Sequence, residues 1–235
     1  MKKLLLTAIA MFSIIACNDD ENPDTDQNQP ENYSNLPQEF PFTKLVTLNG
    51  VDVINGGFGS GAAAHPTRKG EFYVITDRGP NTDYLNGKKF LAPNFTPTIM
   101  HFKLNEKGTI EVIKYIQLKN PSGQLITGLP NPEGKGSTGE TAYDANGAIL
   151  GTDPYGLDSE SIVAAKDGTF WVSDEYGPHI VHYSGDGVEL ERISPIGVNT
   201  GNRKLPAVLA KRRANRGMEG LCITPDGKTL VGTMQ

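Results

Sequence analysis

GLDSESIVAAKDGTFWVSDEYGPHIVHYSGDGVELERISP, residues 156–195, contains four short runs of small apolar, aromatic and β-branched residues. Residues of these types favour strands, and the glycines between the runs tolerate the positive φ of tight turns. The order is strand, tight turn, strand, short loop, strand, tight turn, strand, which predicts an antiparallel meander, the unit of a β-propeller blade. The predicted strands are Ser161–Ala165, Thr169–Ser173, His179–Ser184 and Val188–Ser194.

Two other stretches repeat the opening of this unit. Residues 61–80 combine a run of small residues, a glycine turn, an aromatic strand and Asp77-Arg78-Gly79-Pro80, and residues 217–235 restart the pattern. A unit that recurs with variable insertions indicates radial or solenoidal repetition, because one copy cannot bury both of its faces. We predict an all-β chain, a β-propeller of four-stranded antiparallel blades, with one short helix near residues 205–215. The sequence stops two strands into the third copy, so we expect a fragment of a longer protein.

The remaining elements of the domain, residues 40–235, follow from the same patterns. The predicted elements are a strand pair within Phe42–Ile54, a polar insertion at Asn81–Pro97, strands at Thr98–Leu104 and Thr109–Leu118, and a loop-rich Lys119–Tyr155 with a hairpin around Asn146-Gly147. We expect Cys222 to be a small buried hydrophobe, because it stands in an apolar strand.

The N-terminus is typical of an exported, lipid-anchored protein. Residues 1–16 place two lysines before a short apolar run, as a signal peptide does. Ile14-Ile15-Ala16-Cys17 resembles the lipobox of bacterial lipoproteins, so we predict lipidation of Cys17 and a location in the cell envelope, with membrane contact through the lipid alone. Residues 17–39 are acidic and poor in apolar groups, which predicts a disordered tether. The alternative is an ordinary cleaved signal peptide in which Cys17 is incidental.

The charge balance excludes one class of partner. The chain has 22 basic and 27 acidic residues, and residues 1–39 hold two lysines and seven of the acids. The domain that remains is neutral, and it lacks the excess of Lys and Arg that nucleic-acid binding requires. The sequence also has no G-x-S-x-G elbow, P-loop, H-E-x-x-H or paired-cysteine pattern. Nucleic-acid binding and several catalytic classes are therefore set aside.

Acidic residues flank the hairpin of the central unit. Asp158 and Glu160 precede its first strand, and Asp174 and Glu175 follow its second. In an antiparallel hairpin these two ends share one edge, which in a blade with its first strand innermost faces the channel mouth. Glu219 holds the place of Glu160 in the third copy.

In the first copy, Asp77 and Arg78 stand where Asp174 and Glu175 do in the central one. Carboxylates from three blades would then converge, which suits Ca²⁺ or a water activated by a metal or a base. We predict Glu160, Asp174, Glu175 and Glu219 as catalytic residues and Asp77, Glu160, Asp174 and Glu219 as metal ligands. The alternative is that they cap turns and stay solvated.

Cations near the same edge are candidates for substrate binding. Arg78 follows Asp77, and six basic residues between residues 203 and 216 precede Glu219. A guanidinium binds phosphate or carboxylate through two hydrogen bonds. We predict Arg78, Arg216 and His179 as substrate-binding residues. The alternative for the basic segment is a solvated helix face with its positive end at the C-terminus.

Several of these stretches together resemble the phytase-like family, described as "esterase-like activity of phytase". They are residues 158–162, residues 167–178, residues 215–221 with the turn Pro225-Asp226-Gly227, and Asp77-Arg78-Gly79-Pro80 in the early part. The resemblance covers most of residues 40–235. It implies a β-propeller in a secreted or envelope-anchored bacterial protein and hydrolysis of a small phosphoester or ester. Members of the family normally run well past the Pro225-Asp226-Gly227 turn.

Two classes of function follow from the sequence. The first is a metal-assisted phosphoester or ester hydrolase that uses Ca²⁺ at the channel mouth. The second is a non-catalytic propeller lipoprotein that binds a ligand or a protein partner on the same face. Hydrolysis that a chelator abolishes would separate them.

Overall fold

The computed structural model describes residues 42–55, 57–199, 201 and 203–235. Strands dominate this part of the chain. In chain order they are β1 (Lys44–Leu48), β2 (Val51–Ile54), β3 (Gly61–Ala64), β4 (Glu71–Ile75), β5 (Asn81–Tyr84), β6 (Gly87–Phe90), β7 (Thr98–Leu104), β8 (Ile110–Gln117), β9 (Thr141–Tyr143), β10 (Ser159–Ala164), β11 (Phe170–Asp174), β12 (His179–Tyr183), β13 (Glu189–Pro195), β14 (Lys204–Leu205), β15 (Met218–Ile223) and β16 (Leu230–Met234).

The central unit is the antiparallel meander that the sequence predicts. Strands β10, β11, β12 and β13 pair in that order, and β14 adds a short parallel strand at the outer edge. The turn between β10 and β11 closes with a hydrogen bond from the Gly168 N–H to the Ala165 carbonyl, and Gly168 has a φ of 83°. Only glycine adopts that conformation without a steric cost, so the tight turn fixes the register of the hairpin.

The other two copies fold as the sequence predicts. The first is the four-stranded sheet β3-β4-β7-β8, and the third is the hairpin β15-β16. The polar insertion of the first copy forms the hairpin β5-β6, whose second strand pairs in parallel with β9. The strand pair β1-β2 turns at Asn49-Gly50. The prediction of an all-β fold built from four-stranded antiparallel blades is confirmed.

The blades pack through their innermost strands. Strand β10 lies beside both β3 and β15. One apolar cluster, which includes Ile75, Ile162 and Val172, joins the first blade to the central blade, and a second, which includes Val163 and Met218, joins the central blade to the third. Burial of these side chains is the main force that holds the blades together.

Serine hydroxyls of the central blade add hydrogen bonds across both blade interfaces. Ser159 Oγ donates to the Thr76 carbonyl in the first blade at 2.6 Å. On the other side, the Ser173 hydroxyl donates to the Glu219 carbonyl at 2.7 Å and that of Ser161 to the Leu221 carbonyl at 3.3 Å. These bonds fix the ends of β10 and β11 against both neighbours, and the candidate site lies at those ends.

Two details differ from the sequence prediction. The helix is a 3₁₀ helix of five residues, Ala207–Lys211, because Leu205 pairs with β13 and Arg212 has an extended ψ of 155°. Cys222 is exposed, because the alternation of β15 turns Leu221 inward instead. The predicted signal peptide, Cys17 and the tether lie outside the described residues. In the part of the chain that the structure describes, no helix has the length and apolar character needed to cross a bilayer.

Candidate functional site

The candidate site lies where β10 and β15 begin and β11 ends. Glu160 is the second residue of β10 and Glu219 the second of β15, and the pairing register of both strands shifts at that point. Glu175 directly follows β11, and its N–H donates to the Asp158 carbonyl at 2.9 Å. A register shift changes the direction in which a side chain points. Glu160 and Glu219 therefore hold equivalent positions in neighbouring blades.

Five carboxyl groups form what we call the acidic cluster: Asp77, Asp158, Glu160, Glu175 and Glu219. Within it, Asp158, Glu160 and Glu175 each offer an oxygen, and these atoms lie within 4.8 Å of one another. Asp77 and Glu219 are close enough to perturb this trio electrostatically. Asp77 is exposed and Asp158 is buried, so the cluster extends from solvent into the interior.

Burial and like charge raise the pKa values in the acidic cluster. Burial raises the pKa of Asp158 well above its usual value, and Asp77 and Glu160 add to the effect, whereas Arg78 opposes it. The pKa of Glu160 rises to about 8, first through burial and then through Glu219 and Glu175. Burial also raises the pKa of Glu175. Negative charge in the acidic cluster is therefore unfavourable unless a cation compensates it.

Arg78 is the cation that contacts the acidic cluster directly. Its side chain is 7% exposed, and Nη1 lies 3.1 Å from Asp158 Oδ2 and 3.7 Å from Glu140 Oε1. Its Nη2 donates to Asn215 Oδ1 at 3.1 Å, and the guanidinium carbon lies 5.6 Å from the centre of the Tyr176 ring. Arg78 thus joins segments of all three blades and of the loop before β10. These contacts use its hydrogen-bonding face, so its predicted contact with substrate phosphate stays a prediction that the geometry does not favour.

Asp174 is placed apart from the acidic trio. Its side chain is 0% exposed, with Oδ1 accepting a hydrogen bond from the Asp158 N–H and Oδ2 one from the Gly177 N–H, both at 2.9 Å. Burial raises its pKa, while Arg192 and these N–H groups oppose the rise. Its oxygens are occupied by backbone donors, so the geometry favours an organising role over the predicted roles in catalysis and metal binding.

His179 lies in the interior behind Asp174. Its Nε2 is 3.2 Å from the Lys135 carbonyl and 3.9 Å from Asp174 Oδ2. Burial, followed by the charge of Arg192, holds the pKa of His179 well below its usual value, so the ring is neutral. A fully buried neutral ring is out of reach of a ligand bound at the mouth, which leaves its predicted substrate contact without geometric support.

The strand register shows that the predicted match between Asp77 and Asp174 is wrong by one residue. Ser161 pairs with Ser173 in the central blade as Gly61 pairs with Ile75 in the first. Counting onward from these pairs, Asp77 corresponds to Glu175 rather than to Asp174. Asp77 and Glu175 therefore reach the mouth from equivalent positions, and Asp174 corresponds to the inward-facing residue before them.

Sequence reasoning did not assign roles to several residues of the site. Asp158 was placed near the mouth but not among the metal ligands, although it is the most buried member of the trio. Glu140 comes from the loop before β9, where no periodic pattern gives its direction. The Tyr176 hydroxyl donates to the Gly128 carbonyl at 2.6 Å, which anchors the loop after β11. The sequence signal for Asp158 was its spacing, because it stands only two residues before Glu160.

The donor set fits a hard divalent cation. Asp158, Glu160 and Glu175 present carboxylate oxygens only, the ligand type that Ca²⁺ and Mg²⁺ prefer. Asp158 Oδ2 is buried and lacks a hydrogen-bond partner in the part of the chain that the structure describes, although Arg78 lies beside it. Arg78 compensates part of the charge on this oxygen, and the raised pKa of Asp158 indicates that the compensation is incomplete. The acidic trio is therefore chemically suited to hold a cation.

A second group of candidate ligands, His65, Glu71 and His101, lies at the opposite end of the first blade. His65 Nδ1 accepts hydrogen bonds from the N–H groups of Thr67 and Arg68 at 3.2 and 3.1 Å. Nε2 of a neutral ring then carries the proton and has no lone pair to offer a metal. Glu71 already contacts His101 Nε2 at 2.7 Å. The Glu71 carboxylate is held by Arg68 and His101, so these three candidate ligands are accounted for without a metal.

Comparison with known proteins gives two findings. A family model described as "Phytase-like: Esterase-like activity of phytase" matches residues 54–235. An "Uncharacterized secreted protein" of Arthroderma benhamiae (strain ATCC MYA-4681 / CBS 112371) is 31% identical over 242 residues, which cover 81% of this chain and 47% of that protein. The chain spans about half the length of this relative.

Proposed function

The chain belongs to the phytase-like family, and from that premise we propose that it is a metal-assisted hydrolase of a small phosphoester or ester, acting at the mouth between its blades. The resemblance seen in the sequence is thereby confirmed at the level of the family. The observation that carries the proposed activity is the trio Asp158, Glu160 and Glu175, whose carboxylate oxygens lie within 4.8 Å of one another.

Each residue of the acidic cluster has a proposed part. Asp158, Glu160 and Glu175 hold the cation, because their oxygens converge and their raised pKa values show that uncompensated negative charge is unfavourable there. Glu219 approaches from the next blade and acts on the attacking water as a general base. Asp77, the exposed counterpart of Glu175, faces the solvent side from which substrate enters.

We propose Ca²⁺ as the ion. The donors are oxygens alone, and they converge from two chain ends, the start of β10 and the residue after β11, where carboxylates can bind Ca²⁺ through one oxygen or both. When bound, such an ion polarises an ester or phosphoryl oxygen and lowers the pKa of a bound water. Arg78 then keeps Asp158 ionised and in place.

The activity is tested directly with generic substrates. We expect the chain to hydrolyse a chromogenic phosphomonoester or carboxylic ester, to lose that activity in a chelator, and to regain it when Ca²⁺ is restored. Glu219→Gln should keep cation binding and lose turnover. If neither substrate class is turned over while Ca²⁺ still binds, the alternative of a non-catalytic binding protein is favoured.

Ca²⁺ is expected to stabilise the fold through Glu160. A ligand that binds the native state alone adds about 2.7 kcal/mol at a hundred times its dissociation constant. Glu160→Gln should remove most of this gain, because an amide oxygen is a poorer ligand for a hard ion. Thermal unfolding with and without Ca²⁺ measures it, and Glu106→Gln, at an exposed loop position, is the control. If no divalent ion shifts the midpoint of thermal unfolding, the proposed metal site is wrong.

The pH dependence of the same measurement supplies a second check. The pKa of Glu160 is about 8 in the folded chain and 4.5 as the ordinary value, so the folded state binds more protons between these limits. Without the cation, this group should therefore lower stability as the pH rises through that window. Ca²⁺ affinity should fall as the pH drops below 8, since a proton competes for the carboxylate. Glu160→Gln should flatten both trends.

We also propose that the protein is exported and lipid-anchored at Cys17. The relative from Arthroderma benhamiae is named as a secreted protein, and the lipobox-like Ile14-Ile15-Ala16-Cys17 follows an apolar run. Cys17→Ser should move the protein from the membrane fraction to the soluble fraction of its host cells. A variant that remains with the membrane would show that the anchor lies elsewhere.

A further inference from the structure

A basic pocket adjoins the third blade. Its lining shares no residue with the acidic cluster, although Arg212 lies within electrostatic reach of Glu175. It has a volume of about 560 Å³, within the range of small-ligand sites. Its lining includes four cationic side chains, together with the apolar Val208 and Met234. The cations are Lys211, Arg212, Arg213 and Arg216. No acidic residue is among the described residues that line the pocket.

Three of the four cations in this pocket form no ion pair with a carboxylate of the described residues. Within the described residues, Lys211, Arg213 and Arg216 have no carboxylate within 4.0 Å. Four like charges around one cavity repel one another, and an anion bound among them relieves that repulsion.

Arg212 gives the pocket a fixed donor. Its Nη2 donates to the Gly136 carbonyl at 3.0 Å, which holds the half-buried guanidinium in place. Its Nε is buried and has no hydrogen-bond partner in the described part of the chain. The bond to Gly136 holds the guanidinium charge at the pocket wall, where it adds to the positive potential of Arg213 and Arg216.

We propose that this pocket binds a small oxyanion with two or more negative charges, such as a polyphosphate or a polycarboxylate. The guanidinium groups of Arg212, Arg213 and Arg216 bind its oxygens, and Lys211 adds charge. The sequence analysis predicts that Arg216 binds substrate at the channel mouth, whereas this proposal places its anion contact in the basic pocket. The binding requires no cation at the acidic cluster, so it stands apart from the proposed hydrolase activity.

The test is calorimetric titration of the 235-residue chain with pyrophosphate and, separately, with citrate, at constant ionic strength in a chelator. The chelator removes the cation route, and the two probes distinguish phosphate from carboxylate chemistry. We expect one pyrophosphate per chain and, in Arg213→Gln/Arg216→Gln, a loss of affinity of about tenfold or more. The charge-matched control is Lys69→Gln/Lys228→Gln, at exposed positions outside the pocket, which should bind as the parent does.

The possible outcomes decide the proposal. Equal weakening in the two double variants would mean that only overall charge matters, and lack of saturable binding by either probe would remove the site. If Arg213→Gln/Arg216→Gln fails to fold, a chemical-protection experiment on the parent chain replaces the titration of that variant. Pyrophosphate should then shield Arg213 and Arg216 from an arginine-specific reagent, as mapped by mass spectrometry, and unchanged labelling would overturn the proposal.

Discussion

Asp174→Ala is expected to lower the free energy of unfolding by about 2–5 kcal/mol, because it leaves two buried N–H groups without an acceptor. Those groups belong to Asp158 and Gly177, which donate to the two carboxylate oxygens at 2.9 Å. Both hydrogen bonds are buried, so each N–H group loses its acceptor in the interior. The loss should also displace Asp158, whose backbone the Asp174 carboxylate positions.

Denaturant unfolding of the variant measures this loss. Asp83→Ala is the control, because the Asp83 side chain is 94% exposed and surface ion pairs contribute little. The loss at Asp174 should persist in a chelator, and it should be larger in Ca²⁺, because the displaced Asp158 is a proposed cation ligand. If it appears only in Ca²⁺, Asp174 is a metal ligand, as the sequence predicted, and the organising role is wrong.

Arg78→Met is expected to cost about 3–5 kcal/mol, the usual result of removing one partner from a buried ion pair. Asp158 is the partner, with its Oδ2 3.1 Å from Arg78 Nη1. Methionine fills much of the space but cannot offset the carboxylate charge. The cost should be greater at pH 7.5 than at pH 5, because Asp158 can take up a proton at the lower pH and escape the unpaired state.

A second substitution separates charge from packing. Arg78→Met/Asp158→Asn removes both charges, so it should recover part of the stability that Arg78→Met loses, whereas packing damage alone would make the two losses additive. Chemical denaturation of the parent, Arg78→Met, Asp158→Asn and the double variant at both pH values completes the cycle. Additive losses without pH dependence would show that Arg78 contributes through its volume.

The sequence was a good guide to the blades and a partial guide to the site. Alternation along β12 and the glycine turn at Gly168 are local features, so their pattern survives folding unchanged. Glu160 and Glu219 could be matched because each lies at the start of an innermost strand. The difference between Asp174 and Glu175 could not be read from sequence: adjacent residues at a strand end face opposite sides, and the register of the pair decides which faces the mouth.

The partners of Arg78 mark the limit of prediction more clearly. Glu140 and Asn215 come from loops that are distant in sequence, and neither carries a periodic signal. Their position depends on how the blades pack, which is a tertiary property. The burial of Arg78 itself was unexpected for the same reason, since an arginine after a strand is usually solvated.

The serine hydrogen bonds between blades bear on how such a chain can tolerate change. Ser159, Ser161 and Ser173 donate to main-chain carbonyls of the neighbouring blades, never to their side chains. A carbonyl is present whichever amino acid occupies the accepting position. The side chains at those positions can therefore vary without loss of the contact, provided that the central serines remain. Blades of dissimilar sequence can therefore pack next to one another. The sequence requirement for these contacts falls on the serines of the central blade.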